Sequence, residues 1–182
     1  MRLGLYGGTF DPIHIGHTHL ITSLLADNIV DRLLVIPAGE PRLREHAPQA
    51  TGAQRRAMCQ LAINELPTDF RSRVEVNPIE ILRSGPSYTI DTVEAVAQTY
   101  PDAELILVVG SDAAEKIDQW HRIEELLKLV TLEIIDRPGH ESASGRDIGA
   151  IDVSATQVRS HTSDGVCPSV AQYIKENNLY VS

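Results

Sequence analysis

The sequence contains no apolar run approaching the roughly 20 residues that a membrane-crossing helix needs, and its longest apolar stretches are the size of strands. Its two cysteines, Cys59 and Cys167, lie far apart with no Cys-x-x-Cys pairing. A disulfide framework and a zinc ribbon are therefore unsupported. Both cysteines read as structural thiols, Cys59 within a helical stretch. Positive charge is short as well: 16 Lys and Arg stand against 25 Asp and Glu, a net charge of −9. A chain that repels polyanions overall does not suit non-specific nucleic-acid binding, so any anionic ligand must be held by a local concentration of donors. The stretch from Met1 to Tyr6 runs directly into Gly7-Gly8. It has none of the basic, apolar and small-residue regions that make up a secretory leader, which makes the cytoplasm the expected location, with no membrane partner.

What is present is a globular balance, with 42% apolar and 23% charged residues in 182. That length suits one domain over residues 1–182. Four runs rich in Val, Ile and Leu recur at Leu3–Tyr6, Leu33–Ile36, Leu105–Val109 and Leu132–Ile135. They lack polar alternation, as strands buried on both faces of a parallel sheet do. Helical periodicity fills the intervals. Ile90, Val93, Val96, Ala97 and Tyr100 share a face ended by Pro101, and Ile123, Leu126, Leu127 and Val130 form a second stripe. A further helix is expected over Gly52–Leu66 with Met58, Leu61 and Ala62 inward. Alternating strands and helices imply a doubly wound α/β fold with a parallel sheet, whose ligands sit beyond the strand carboxyl ends where the strand order reverses. Segments 37–46 and 137–150 read as mobile loops. The second is expected to separate the sheet from a small C-terminal helical segment, 151–182, whose helix runs from Thr156 to Glu176.

Directly after the first strand comes Gly7-Gly8-Thr9-Phe10-Asp11-Pro12-Ile13-His14-Ile15-Gly16-His17, followed by the apolar-periodic Leu20, Ile21, Leu24 and Leu25. Paired glycines let a backbone approach a ligand closely, and the following helix offers its positive end, so the turn is suited to an anion. It is neither a Gly-Lys-Ser/Thr phosphate loop nor a Gly-x-Gly-x-x-Gly fingerprint. His14 and His17 fall on one side at the opening of the helix and can donate to phosphate oxygens. The alternative is that one caps the helix and the other packs. A zinc site with His19 is disfavoured, because His19 faces away from His17 and neither a His-Glu-x-x-His spacing nor a cysteine is nearby, so no metal ligands are assigned.

These residues resemble the nucleotidyltransferase superfamily marked by a His-x-Gly-His motif, whose members transfer AMP or CMP from a nucleoside triphosphate. Val153-Ser154-Ala155-Thr156-Gln157-Val158-Arg159 is similar to its second motif, Ile-Ser-Ser-Thr-x-Ile-Arg, with Ala155 replacing one serine. Gly85-Pro86-Ser87-Tyr88-Thr89-Ile90-Asp91-Thr92, then Gly110-Ser111-Asp112 with Trp120 beyond it, and Arg137-Pro138-Gly139, resemble the bacterial nicotinate-nucleotide adenylyltransferases. The resemblance covers nearly the whole chain and implies a Rossmann-like fold. It further implies transfer of AMP from ATP to nicotinate mononucleotide with Mg²⁺, giving deamido-NAD and pyrophosphate in NAD synthesis.

By the same resemblance, His14 and His17 contact the ATP phosphates, and Gly7, Gly8, Thr9 and Phe10 line the turn. Ser154, Thr156 and Arg159 supply a second set of phosphate donors, although Ser-x-x-Gln at 154–157 is also a helix-starting capping box. Arg44, in Pro41-Arg42-Leu43-Arg44, stands where the family usually has the lysine of Pro-Pro-His-Lys, or else is a solvated loop charge. Gly110 and Asp112 lie just beyond a strand, with Asp112 a ribose acceptor or a helix cap. Trp120 covers the nicotinate with His121 beside it, or else packs in the core. Thr89 looks like an N-cap, and the resemblance adds that its backbone meets the nicotinate carboxylate. Asp11 is as readily a turn former as a catalytic residue. Other readings compatible with the sequence are nicotinamide mononucleotide or phosphopantetheine as acceptor, a non-catalytic nucleotide sensor, and a homo-oligomeric state.

Overall fold

The computed structural model describes residues 1–39, 47–139, 142–161 and 165–181. Arg42 and Arg44 lie outside them. The elements in chain order are β1 (Arg2–Gly8), α1 (Ile15–Ala26), β2 (Arg32–Pro37), α2 (Gly52–Asn64), α3 (Thr68–Arg71), β3 (Val74–Val76), α4 (Ile79–Leu82), α5 (Thr89–Thr99) and β4 (Glu104–Gly110). They continue with α6 (Ser111–Ala114), a 3₁₀ turn (Ile117–Gln119), α7 (Ile123–Leu129), β5 (Thr131–Ile135), α8 (Ala155–His161) and α9 (Pro168–Glu176). The strands form one parallel sheet of order β3-β2-β1-β4-β5.

The period-2 alternation of a strand divides its side chains between two cores. Tyr6, Leu33, Val35, Ile106 and Val108 point to the face covered by α1, α2 and α9. Leu3, Leu5, Leu34, Ile36 and Leu107 point to the face covered by α5 and α7. Burial on both faces is the reason the strand runs are continuously apolar.

The register pairs Gly8 with Pro37 and Tyr6 with Val108, so β1, β2 and β4 end together. β1 is followed by a connection to β2 on one side, and β4 lies on its other side. The reversal of strand order therefore falls between β1 and β4, and the turns after these two strands border the same crevice.

The structure departs from expectation in five places. β3 is an additional edge strand of only three residues, one of them exposed, too short to show as an apolar run. The tail is not one helix from Thr156 to Glu176 but two, α8 and α9, with Pro168 at the first turn of the second. In α7 only Leu126 is buried, and Leu127 is 47% exposed, because the stripe is wider than the surface that α7 covers. In α2 the inward set is Arg55, Met58, Cys59, Ala62 and Ile63, while Leu61 is only partly covered. Within the segment expected as a loop, Arg146 bridges to Ile135, its N–H donating to the Ile134 carbonyl at 2.8 Å.

Candidate active site

The turn after β1 folds back over its own glycines. A Cβ on Gly8 would lie 2.8 Å from Cζ of Phe10, so only glycine leaves room for that ring. Phe10 itself has φ 48° and is 2% exposed, and its side chain belongs to the core. Its place at the turn is therefore held by main chain.

His14 is the N-cap of α1, and its N–H donates to Nδ1 of His17 at 3.1 Å. The two rings stack with centroids 3.6 Å apart, and Phe10 meets His17 edge-on at 5.0 Å. These histidines shape the helix start and also border the crevice. Because Nδ1 of His17 accepts a hydrogen bond, its neutral ring carries the proton on Nε2. His14 is 8% exposed, and its buried Nδ1 has no hydrogen-bond partner. Burial, aided by the Arg137 charge, lowers the His14 pKa from 6.5 to about 4, so the ring is neutral at pH 7.

At the end of β4, Ser111 Oγ accepts from the Arg137 N–H at 3.1 Å. Asp112 Oδ1 lies 3.4 Å from Arg137 Nε, although this buried atom makes no well-formed hydrogen bond. Arg137, half-exposed, puts a cation between the histidines and Asp112. In the sequence it stands out only as part of Arg137-Pro138-Gly139.

On the far side of β1, Thr89 is the first residue of α5 and Tyr88 is its N-cap, so Thr89 is not the cap. Tyr88 lies against His121, the two rings tilted by 33° with centroids 4.3 Å apart. Trp120 both borders the crevice and packs against the core beneath α5 and α7. Glu80 was missed by the sequence reading. It accepts from Thr92 Oγ1 at 2.9 Å, and Thr92 Oγ1 in turn accepts from Arg83 at 3.1 Å. Burial raises the pKa of the Glu80 carboxyl.

The second motif opens α8 with a complete capping box. Ser154 Oγ accepts from the Gln157 N–H at 3.2 Å, and Gln157 Oε1 accepts from the Ser154 N–H at 2.7 Å. Arg159 donates to the Asp11 carbonyl at 2.6 Å and to Thr156 Oγ1 at 3.1 Å.

These elements enclose a cleft of about 660 Å³. Gly7, Gly8, Thr9, Phe10, His14 and His17 line one end, with Ser154 and Thr156 adjoining. Gly110 and Asp112 lie along it, and Thr89, Trp120 and His121 line the rest. Arg159 is not among the lining residues, its guanidinium being turned to the back of the turn. A smaller cavity of about 250 Å³ shares His14, His17, Asp112, Arg137 and Ser154 with the cleft. Among the described residues no three His, Cys, Asp or Glu side chains converge as a protein metal cage requires.

The cytidylyltransferase-like family model matches residues 5–171. A probable nicotinate-nucleotide adenylyltransferase of Shouchella clausii is 35% identical, over 98% of this chain and 96% of that relative. Another, from Bacillus pumilus, is also 35% identical, over 100% and 99% of the two chains. Among solved structures, Plasmodium falciparum nicotinic acid mononucleotide adenylyltransferase complexed with NaAD superposes with a TM-score of 0.84 at 19% identity, covering 98% of this chain and 97% of that one.

Proposed function

Since the chain belongs to the cytidylyltransferase-like family, and within it to the nicotinate-nucleotide adenylyltransferases, we propose that it transfers AMP from ATP to nicotinate mononucleotide, releasing pyrophosphate and forming nicotinate adenine dinucleotide. One observation carries this reading: the stacked His14 and His17 rings stand at a glycine turn, at one end of a cleft that reaches Trp120 and the start of α5.

The triphosphate lies against Gly7, Gly8, Thr9 and Phe10, with His14 and His17 beside it. A phosphate oxygen of the mononucleotide attacks the α-phosphorus in line. The bond from that phosphorus to the bridging oxygen breaks, and pyrophosphate leaves with the electron pair. No protein nucleophile is required, so the work is alignment and stabilisation of charge on the transferring group. His17 presents Nε2–H as a donor. His14, kept neutral by burial, acts as a hydrogen-bonding group and not as a fixed cation.

Arg137 adds permanent charge, and Asp112 accepts from ribose hydroxyls. The start of α8 at Ser154 to Thr156 donates main-chain N–H groups, since the Ser154 hydroxyl is occupied in its capping box. Arg159 acts on the triphosphate from behind the turn or after rotating toward it. Arg44 supplies a further cation. The acceptor's pyridine lies on Trp120, flanked by His121, with its carboxylate at the main-chain N–H groups of Thr89 and His121. Mg²⁺ would be held chiefly by the substrate's phosphates and water, as suits a cleft whose described residues form no carboxylate cage, and when bound it would neutralise phosphate charge.

The test is turnover of purified protein with ATP, Mg²⁺ and nicotinate mononucleotide, read as pyrophosphate release and as the dinucleotide by chromatography. Nicotinamide mononucleotide and phosphopantetheine serve as competing acceptors. Preference for either competitor would overturn the substrate assignment. ATP binding with no turnover on any acceptor would make the protein a nucleotide sensor.

A further inference from the structure

Asp11 borders the cleft, yet its carboxylate is spent elsewhere. It is 5% exposed. Oδ2 accepts from the Gln49 N–H at 2.8 Å. Oδ1 accepts from the Ala50 N–H at 3.1 Å and from the Tyr180 hydroxyl at 2.7 Å. The Asp11 carbonyl takes the Arg159 guanidinium. One residue of the glycine turn thus joins the start of α2, the end of the chain and α8. Behind it lies Arg55, 2% exposed, which donates to the carbonyls of Thr9 at 2.8 Å, Ala50 at 3.3 Å and Gly39 at 3.4 Å. Every one of these partners is main chain of the turn or of the segments flanking it. Three charge-assisted bonds to a carboxylate and three from a guanidinium, four of the six buried, fix a backbone far more firmly than neutral turn bonds do.

We infer that Asp11 is a positioning residue for adenylyl transfer: held by Tyr180 from the chain end and backed by Arg55, it sets the placement of the triphosphate turn without touching substrate. This rests on the reaction proposed above. It predicts a selective defect. The turn meets ATP, whereas the acceptor end of the cleft is built on α5 and the segment at Trp120; of this network only Arg55, by way of Gly39 and Glu80, reaches α5, and the bonds of Asp11 and Tyr180 run instead to Gln49, Ala50 and Arg159. Loosening the network at Asp11 or Tyr180 therefore weakens use of ATP and leaves recognition of the mononucleotide alone.

The experiment compares wild type with Tyr180→Phe, which removes one oxygen from a ring that stays packed, and with Asp11→Asn. Initial rates are taken with each substrate varied, well below the melting temperature, and ATP affinity is measured separately by calorimetry. The expected result is a fall in kcat/KM for ATP of about threefold in Tyr180→Phe and about tenfold in Asp11→Asn, with KM for the mononucleotide within twofold of wild type. A lowered melting temperature with both KM values and kcat unchanged would overturn the inference, as would equal losses for the two substrates. If wild type itself fails to turn over nicotinate mononucleotide, the substrate reading falls. The calorimetry then decides the present point alone: Asp11→Asn must bind ATP at least fivefold more weakly, and equal affinity overturns it.

Discussion

His14 and His17 differ in what each ring can do. His17 has its tautomer set by a main-chain donor, while His14 is kept neutral by burial. Replacing either by alanine is expected to lower kcat by about 10²–10³-fold, the loss typical of one preorganised donor, and pyrophosphate release measures it. Burial of His14 also ties stability to pH. Below pH 6.5 the unfolded chain binds a proton on this ring, which the folded protein does not accept until about pH 4. Stability from this residue is therefore full above 6.5 and declines as the pH falls toward 4, by up to about 3 kcal/mol. Urea midpoints at pH 7 and pH 4.5 should draw apart in wild type and less so in His14→Gln; parallel shifts would refute the assignment. Arg55 shows what a pattern conceals. It lies one turn before Met58 and Cys59 on the covered face of α2, so a charge inside an apolar stripe was the available signal. Its partners are carbonyls distant in sequence, which no local spacing reveals.

Among the elements, α7 separates a good pattern from a buried one. Leu126 is wholly buried and Leu127 is 47% exposed. Leu126→Ala should cost about 2–5 kcal/mol and Leu127→Ala no more than about 0.5, as chemical denaturation would report. The same contrast explains what the sequence made legible. β1, β2 and β4 are covered on both faces and so print as unbroken apolar runs. β3 sits at the sheet edge, where three residues with Glu75 at the centre give neither run nor alternation. The turn after β1 was legible because its glycines and histidines are contiguous. The remainder of the site is assembled from α4, α5, β4 and the segment after β5. There Glu80, Tyr88 and Arg137 come together only through the fold, and motif resemblance located part of that set. The break between α8 and α9 follows from Pro168, which suits a first helical turn and not a helix interior.

For the whole molecule, the charge of −9 sets a boundary condition on binding. The net field opposes a polyphosphate, so affinity has to come from the few cations and donors at the cleft. Ligands that bind there bind only the folded form. ATP at about one hundred times its dissociation constant should add about 2.7 kcal/mol to stability, raising the melting temperature by roughly 5–10 °C. Differential scanning fluorimetry would detect this, and the absence of a shift at such concentrations would count against the cleft as the nucleotide site. Tyr180 gives the architecture a further property. A nascent chain makes the central strand of its sheet first, yet the turn at the tip of that strand gains its last hydrogen bond only when residue 180 has been synthesised. Competence to react therefore waits until all five strands and the helices α8 and α9 have been translated.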